Sequence, residues 1–201
     1  MRILSSLLTE ASNKYNSMDD DYLKSNYIPS IYQKDIYSID YDAISKKRIK
    51  LLSFDIDETI AGDSDKYPPK SVVTLFENLK NKGFIIKLIT NTDDEREKLF
   101  GKLLSVDGVS RAKKPASDYF TIMMKSNSIN NNEMMHIGNS IIDDVAGGNA
   151  VGIYTALVDF CKDKNNMKDK EKELREVLKK HKLFSEGKYY SFIEEEVKNN
   201  G

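Results

Sequence analysis

The stretch Leu52-Ser53-Phe54-Asp55-Ile56-Asp57-Glu58-Thr59-Ile60 sets two aspartates one residue apart at the end of an apolar run, with a threonine two positions on. A strand that alternates its faces and then opens into a turn brings both carboxylates to the C-terminal edge of a sheet. In an open α/β sheet that edge is where ligands bind. Carboxylates held side by side repel one another unless a cation or protons sit between them. The arrangement suits a divalent metal and phosphate chemistry. D-x-D-x-T is weak by itself, so its weight depends on what the later strand ends carry.

Outward from this stretch, apolar runs alternate with helical periodicity. Residues 49–56 read as a strand, and Ser71 is the expected cap of a helix carrying Val72, Val73, Leu75, Phe76 and Leu79 and stopping at Asn81-Lys82-Gly83. Residues 84–90 are a second strand, and Thr92 or Asp93 caps a helix reaching about Leu104, with Asp94 and Glu95 in its first turn. Further strands are expected over 109–112, 134–137 and 152–158, and further helices over 116–126 and 141–150. Strands alternating with helices imply βαβ units. The expected fold is α/β: a Rossmann-like three-layer α/β/α sandwich with a central parallel sheet. The chain between motifs, from 60 to 89 and from 92 to 112, is too short for a folded cap domain.

The 201 residues bound one domain with terminal extensions. Residues 1–45 form a tyrosine-rich N-terminal arm (Tyr15, Tyr22, Tyr27, Tyr32, Tyr37, Tyr41) expected to pack on the core, residues 46–160 the core, and residues 161–201 a C-terminal helical extension. In that extension Leu174, Val177 and Leu178 form the apolar stripe of a solvated surface helix whose lysines are balanced by Glu171, Glu173 and Glu176. With 31 Lys and Arg against 32 Asp and Glu, the net charge of −1 gives no reason to expect nucleic acid. A single cysteine, Cys161, rules out an internal disulfide, reads as a plain thiol and fits a cytoplasmic location. The apolar residues Ile3, Leu4, Leu7 and Leu8 are interrupted by Glu10 and are too few to span a bilayer, so membrane contact is at most weak and peripheral. His136, in a strand, is expected to be packed or hydrogen-bonded, His181 to face solvent, and Met123-Met124 and Met134-Met135 to fill the core.

Each later strand end brings a further chemical group. Thr90-Asn91 offers a hydroxyl and backbone N–H groups to a phosphate. Lys113-Lys114-Pro115 offers a cation to a phosphoryl oxygen. Gly138-Asn139-Ser140-Ile141-Ile142-Asp143-Asp144 adds an amide and two carboxylates. Phosphoryl transfer through an aspartyl-phosphate needs this set of parts.

Over about residues 27–158 the chain resembles the haloacid dehalogenase superfamily, specifically its capless subfamily III-A phosphatases and a YqeG-like branch related to phosphatidylglycerophosphatase. The motifs that carry the resemblance are Asp55-Ile56-Asp57-Glu58-Thr59, Ile89-Thr90-Asn91, Ala112-Lys113-Lys114-Pro115, and the stretch Asp144-Val145-Ala146-Gly147-Gly148-Asn149-Ala150-Val151-Gly152, with Tyr27-Ile28-Pro29 ahead of them. The resemblance implies a phosphomonoester hydrolase using Mg²⁺. Asp55 would be nucleophile and metal ligand. Asp57 would be general acid and base, with its carbonyl on the metal, and Thr59 would brace the loop. Thr90 and Lys114, with Asn91, would hold the phosphoryl group, Lys113 being the runner-up lysine. Asn139 and Asp144 would complete the metal site.

Position 139 departs from the family pattern, which has an aspartate there. An amide oxygen still coordinates Mg²⁺, but the site loses a negative charge, which Asp143 is placed to return. The alternative to a working enzyme is therefore a weakened domain that binds phosphate or a partner without turnover. The expected substrate is a phosphorylated small metabolite or a lipid phosphate, reached by an open site that a homo-oligomer could close. The 61–69 loop, with Asp63, Asp65, Tyr67, Pro68 and Pro69, is the expected specificity element.

Overall fold

The computed structural model describes residue 15 and residues 17–159 and 167–199. Cys161 and the apolar residues 3–8 lie outside the described residues. In chain order the elements are α1 (Asp20–Tyr27), β1 (Ile31–Gln33), α2 (Tyr41–Lys46), β2 (Leu51–Phe54), α3 (Lys70–Asn81), β3 (Ile85–Ile89), α4 (Asp94–Leu104), β4 (Asp107–Val109), α5 (Asp118–Ser126), a 3-10 turn (Asn131–Glu133), β5 (Met134–Gly138), a π-type turn (Ile141–Val145), α6 (Ala146–Asn149), β6 (Tyr154–Val158), α7 (Asp169–Lys180), β7 (Tyr190–Ser191) and α8 (Phe192–Asn199).

The seven strands among the described residues form one sheet in the order β4-β3-β2-β5-β6-β1-β7. Every pairing is parallel except that of β1 with β7. All four residues of β2 are buried, and so are all five of β5. Strands buried along their whole length belong in the centre of a parallel sheet covered on both faces. The chain runs outward from β2 through β3 to β4, then returns to β5 on the other side of β2. That reversal opens a crevice at the C-terminal ends of β2 and β5. Asp55 leaves β2 and Asn139 leaves β5 on its two sides.

Between sheet and helices, Phe54 of β2 meets Phe76 of α3 with ring centroids 4.8 Å apart. On the other side Leu157 packs with Leu23 of α1 and Leu174 and Leu178 of α7. Met123, Met134 and Met135 are buried, filling the core as expected, while Met124 is only partly buried against it. Between β2 and β3 lie a loop and one helix, and no cap domain intervenes.

Several local expectations shift. α3 begins at Lys70 behind Pro69, without a side-chain cap; Ser71 falls inside the helix rather than at its cap, and its hydroxyl is bonded to the Tyr37 hydroxyl at 2.7 Å. Asp93 caps α4 by accepting from Arg96 N at 2.9 Å. The strand expected over 109–112 sits earlier, at Asp107–Val109, where it pairs with β3. The helix expected over 141–150 opens as a π-type turn and becomes α-helical only at Ala146. Strands β1 and β7 had no signal beforehand, being three and two residues long. Helix α7 is not wholly solvated, since Glu171 and Arg175 are buried with its apolar stripe. His181 is partly covered and bonds Asp20 at 2.6 Å. No helix among the described residues is long and apolar enough to cross a membrane.

Candidate active site

Past β2 the backbone keeps one more sheet contact, from Asp55 N to the Ile137 carbonyl at 2.9 Å, and then coils tightly. Thr59, Ile60 and Ala61 all donate to the Ile56 carbonyl, and Glu58 sits in this turn at φ +55°. The coil leaves Asp55 buried, with 7 % exposure, and Asp57 half-buried at the mouth of a cleft of about 530 Å³. Thr59 Oγ1 lies 3.3 Å from Asp55 Oδ2 and 3.4 Å from Asn139 Oδ1. One hydroxyl thus joins the strand ends on either side of the crevice.

Lys114 is the buried cation of the site. Its Nζ donates to Asp55 Oδ1 at 2.7 Å and to Asp144 Oδ1 at 2.5 Å. Asp144 Oδ1 also meets His136 Nε2 at 3.0 Å, its Oδ2 accepts from Ser140 N at 3.0 Å, and His136 Nδ1 lies 2.9 Å from Ser53 Oγ. Gly138 makes this possible, because a Cβ there would fall 2.2 Å from Asp144 Cγ. Burial pushes the Asp55 carboxyl up to about 6; the Lys114 ammonium opposes the rise and the Asp144 charge adds to it. Burial would raise Asp144 as well, but Lys114 and the His136 hydrogen bond hold it below the usual carboxylate range. Burial would lower Lys114, yet its two carboxylates outweigh that and keep it charged. Burial is also the largest influence on His136, whose pKa falls.

Thr90 lines the cleft, buried, with its Oγ1 accepting from Thr92 N at 3.3 Å. Asn91 lines it too, but its side chain clasps the Lys114 backbone: Oδ1 accepts from Lys114 N at 2.7 Å and Nδ2 donates to Lys114 O at 3.2 Å. Lys113 is exposed, with φ +57°, so of the two lysines Lys114 is the one brought to Asp55. Asn139 is buried beside the cleft. Asp143 reaches the rim and pairs there with Lys168 at 2.8 Å, which offsets the charge it could lend to position 139.

Three residues to which the sequence reading gave no place in the site are built into it. Arg96 of α4 donates from Nε to Asp57 Oδ1 at 2.7 Å. Its signal was local: a cation in the acidic first turn of a helix opposes the helix dipole and implies a tertiary partner. Glu171 of α7 accepts from Ile141 N at 2.8 Å, Ile142 N at 2.9 Å and Ser140 Oγ at 3.0 Å. Arg175 pairs with Glu171 at 2.8 Å and donates to the Asn139 carbonyl at 3.1 Å. Glu171 and Arg175 occupy the helical face of Leu174 and Leu178, so the spacing of the stripe already placed them inside.

Among the described residues no group of three His, Cys, Asp or Glu side chains converges as a metal site. The donors beside Thr59 are instead a carboxylate oxygen of Asp55 and the amide oxygen of Asn139. An all-oxygen set with room for water and substrate oxygens fits a hard cation such as Mg²⁺, held by fewer charges than a three-carboxylate site provides.

No protein-family model matches the chain. It is 26 % identical over 136 residues to "Probable phosphatase YqeG" of Bacillus subtilis, a match covering 68 % of this chain and 79 % of that one. Solved structures of similar shape include the 3-deoxy-D-manno-octulosonate 8-phosphate phosphatase of Moraxella catarrhalis, crystallised with magnesium, phosphate and KDO (17 % identity, 69 % of this chain and 91 % of that one, TM-score 0.48). Another is a HAD family enzyme of Bacteroides thetaiotaomicron in complex with magnesium and inorganic phosphate (13 % identity, 58 % and 97 %, TM-score 0.48). The four motifs of the chain thus stand at successive strand ends of one parallel sheet, in a chain similar to this phosphatase of Bacillus subtilis.

Proposed function

We propose that the protein is a phosphomonoester hydrolase working through an aspartyl-phosphate on Asp55. The observation that carries this reading is the buried trio Asp55, Lys114 and Asp144, in which one ammonium is shared by two carboxylates at the floor of an open cleft. The similarity to YqeG supports it.

A carboxylate oxygen of Asp55 forms a bond to phosphorus as the bond to the leaving oxygen breaks. The leaving oxygen keeps the electron pair and takes a proton from Asp57. Water then gives a proton to the Asp57 carboxylate while its oxygen attacks phosphorus, and the Asp55 carboxylate is released. Lys114 and Thr90 hold the phosphoryl oxygens, and Asn91 keeps Lys114 in place through its backbone. Mg²⁺, held by Asp55, the Asp57 carbonyl and Asn139 with Asp144 as outer support, would neutralise charge on the phosphoryl group. Asn139 favours a second reading, a phosphate-binding domain without turnover.

Phosphate release from p-nitrophenyl phosphate, with Mg²⁺ and with EDTA, separates the two. Turnover that needs Mg²⁺ and falls at least ~10³-fold in Asp55→Asn is expected of the enzyme. Phosphate binding with no turnover would establish the binding domain instead.

A further inference from the structure

The Arg96 guanidinium makes three contacts that the reaction scheme does not use. Nε donates to Asp57 Oδ1 at 2.7 Å, Nη2 donates to the Gly62 carbonyl at 2.9 Å, and Nη1 donates to the Asp65 carbonyl. The side chain is 16 % exposed and lies over the Phe100 ring, 4.7 Å from its centroid. We propose that Arg96 is a positioning residue, which aims Asp57 at the leaving oxygen and fastens that aim to the 62–65 loop overhanging the cleft. The inference rests on the phosphatase reading above.

Asp57 stands on a turn with a side chain 32 % exposed, so packing alone does not hold its carboxyl plane. A planar fork of fixed donors does. By taking Oδ1, Arg96 leaves Oδ2 as the oxygen that carries the proton. The same fork holds the backbone of the loop whose Asp63 lines the cleft and which leads on to the exposed Tyr67. A substrate that shifts this loop therefore shifts Asp57 with it. In the step concerned, the electron pair of the breaking P–O bond goes to the leaving oxygen and the Oδ2 proton follows, so an alcohol departs. An alkoxide cannot leave without that proton, whereas p-nitrophenolate can.

The test compares kcat/KM for p-nitrophenyl phosphate and for glycerol 2-phosphate in the full chain, Arg96→Met, Arg96→Gln and Asp57→Asn. The ratio of the two substrates on one sample does not depend on what fraction of it is folded. Loss of aim predicts a fall of about 10–100-fold on the alkyl ester against less than about 3-fold on the aryl ester. In the Asp57→Asn background, Arg96→Met should add no further loss on the alkyl ester. Equal losses on both esters, or additive losses in the double variant, would overturn the role of Arg96 and leave the phosphatase reading standing. A wild-type chain that turns over neither ester removes both.

Discussion

An amide at position 139 changes what the cleft can hold. Asn139 Oδ1 lies against Thr59 Oγ1, as does Asp55 Oδ2, so its place beside the nucleophile is kept while its charge is gone. Asp143 does not return that charge unopposed, because Lys168 sits on it. Restoring the carboxylate with Asn139→Asp should tighten Mg²⁺ by about 10-fold, since one added charge a few ångströms from a divalent ion is worth on the order of 1–2 kcal/mol after solvent screening. Calorimetric titration of Mg²⁺ and its half-saturating concentration in turnover should move together. Unchanged affinity would mean that position 139 does not face the metal. At this scale the sequence was most legible where a residue type has one use. Asp55, Asp57, Thr90 and Lys114 were named from the motifs and converge on one cleft. Asn91 was expected on phosphate, but its amide meets the Lys114 backbone, and no pattern along the chain announces a contact between two loops.

Elements carry the next layer. Helix α7 reads locally as a Lys/Glu-rich surface helix, yet it supplies the carboxylate that holds the turn bearing Asn139 and Asp144. Two backbone N–H groups at the start of the π-type turn find their acceptor in Glu171, from a segment about thirty residues downstream. Removing one partner of a buried ion pair costs about 3–5 kcal/mol. Glu171→Ala is therefore expected to lower the thermal midpoint by roughly 10 °C, at about 2–4 °C per kcal/mol for a chain of this size. The surface change Glu176→Ala on the same helix should leave the midpoint within about 2 °C. A small effect of Glu171→Ala would detach α7 from the site. The long strands and helices were legible because their apolar periodicity extends over several residues. β1 and β7 were not, because two or three residues carry no period and owe their place to the neighbouring β6 and β1 edges.

For the molecule as a whole, the cleft places opposing demands on stability. Between the ordinary carboxylate value of about 3.9 and about 6, the folded chain keeps a proton at Asp55 that the unfolded chain has lost. Asp55 therefore subtracts stability as pH rises through that window. Asp144 acts with the opposite sign: its depressed folded value contributes stability above about 3.9 that is lost as pH falls toward that lower value. His136, buried and lowered, likewise favours the fold above about 6.5 and loses that contribution in acid. Without metal, the stability of the native chain relative to Asp55→Asn should therefore fall as pH rises from about 4.5 to about 8, because only the native chain loses the Asp55 proton in that range. Thermal melts in EDTA at the two pH values measure this. A difference between the two chains that does not change between the two pH values would contradict the burial cost assigned to the nucleophile.

The most direct measurement is to quench the protein in acid during turnover of p-nitrophenyl phosphate with Mg²⁺, reduce it with borohydride and locate homoserine by peptide mass spectrometry. An aspartyl-phosphate is reduced in this way whereas a free carboxylate is not. Homoserine at position 55, absent without substrate and in Asp55→Asn, is the expected result. Turnover with no reduction at 55, or with reduction at another aspartate, would contradict Asp55 as the nucleophile.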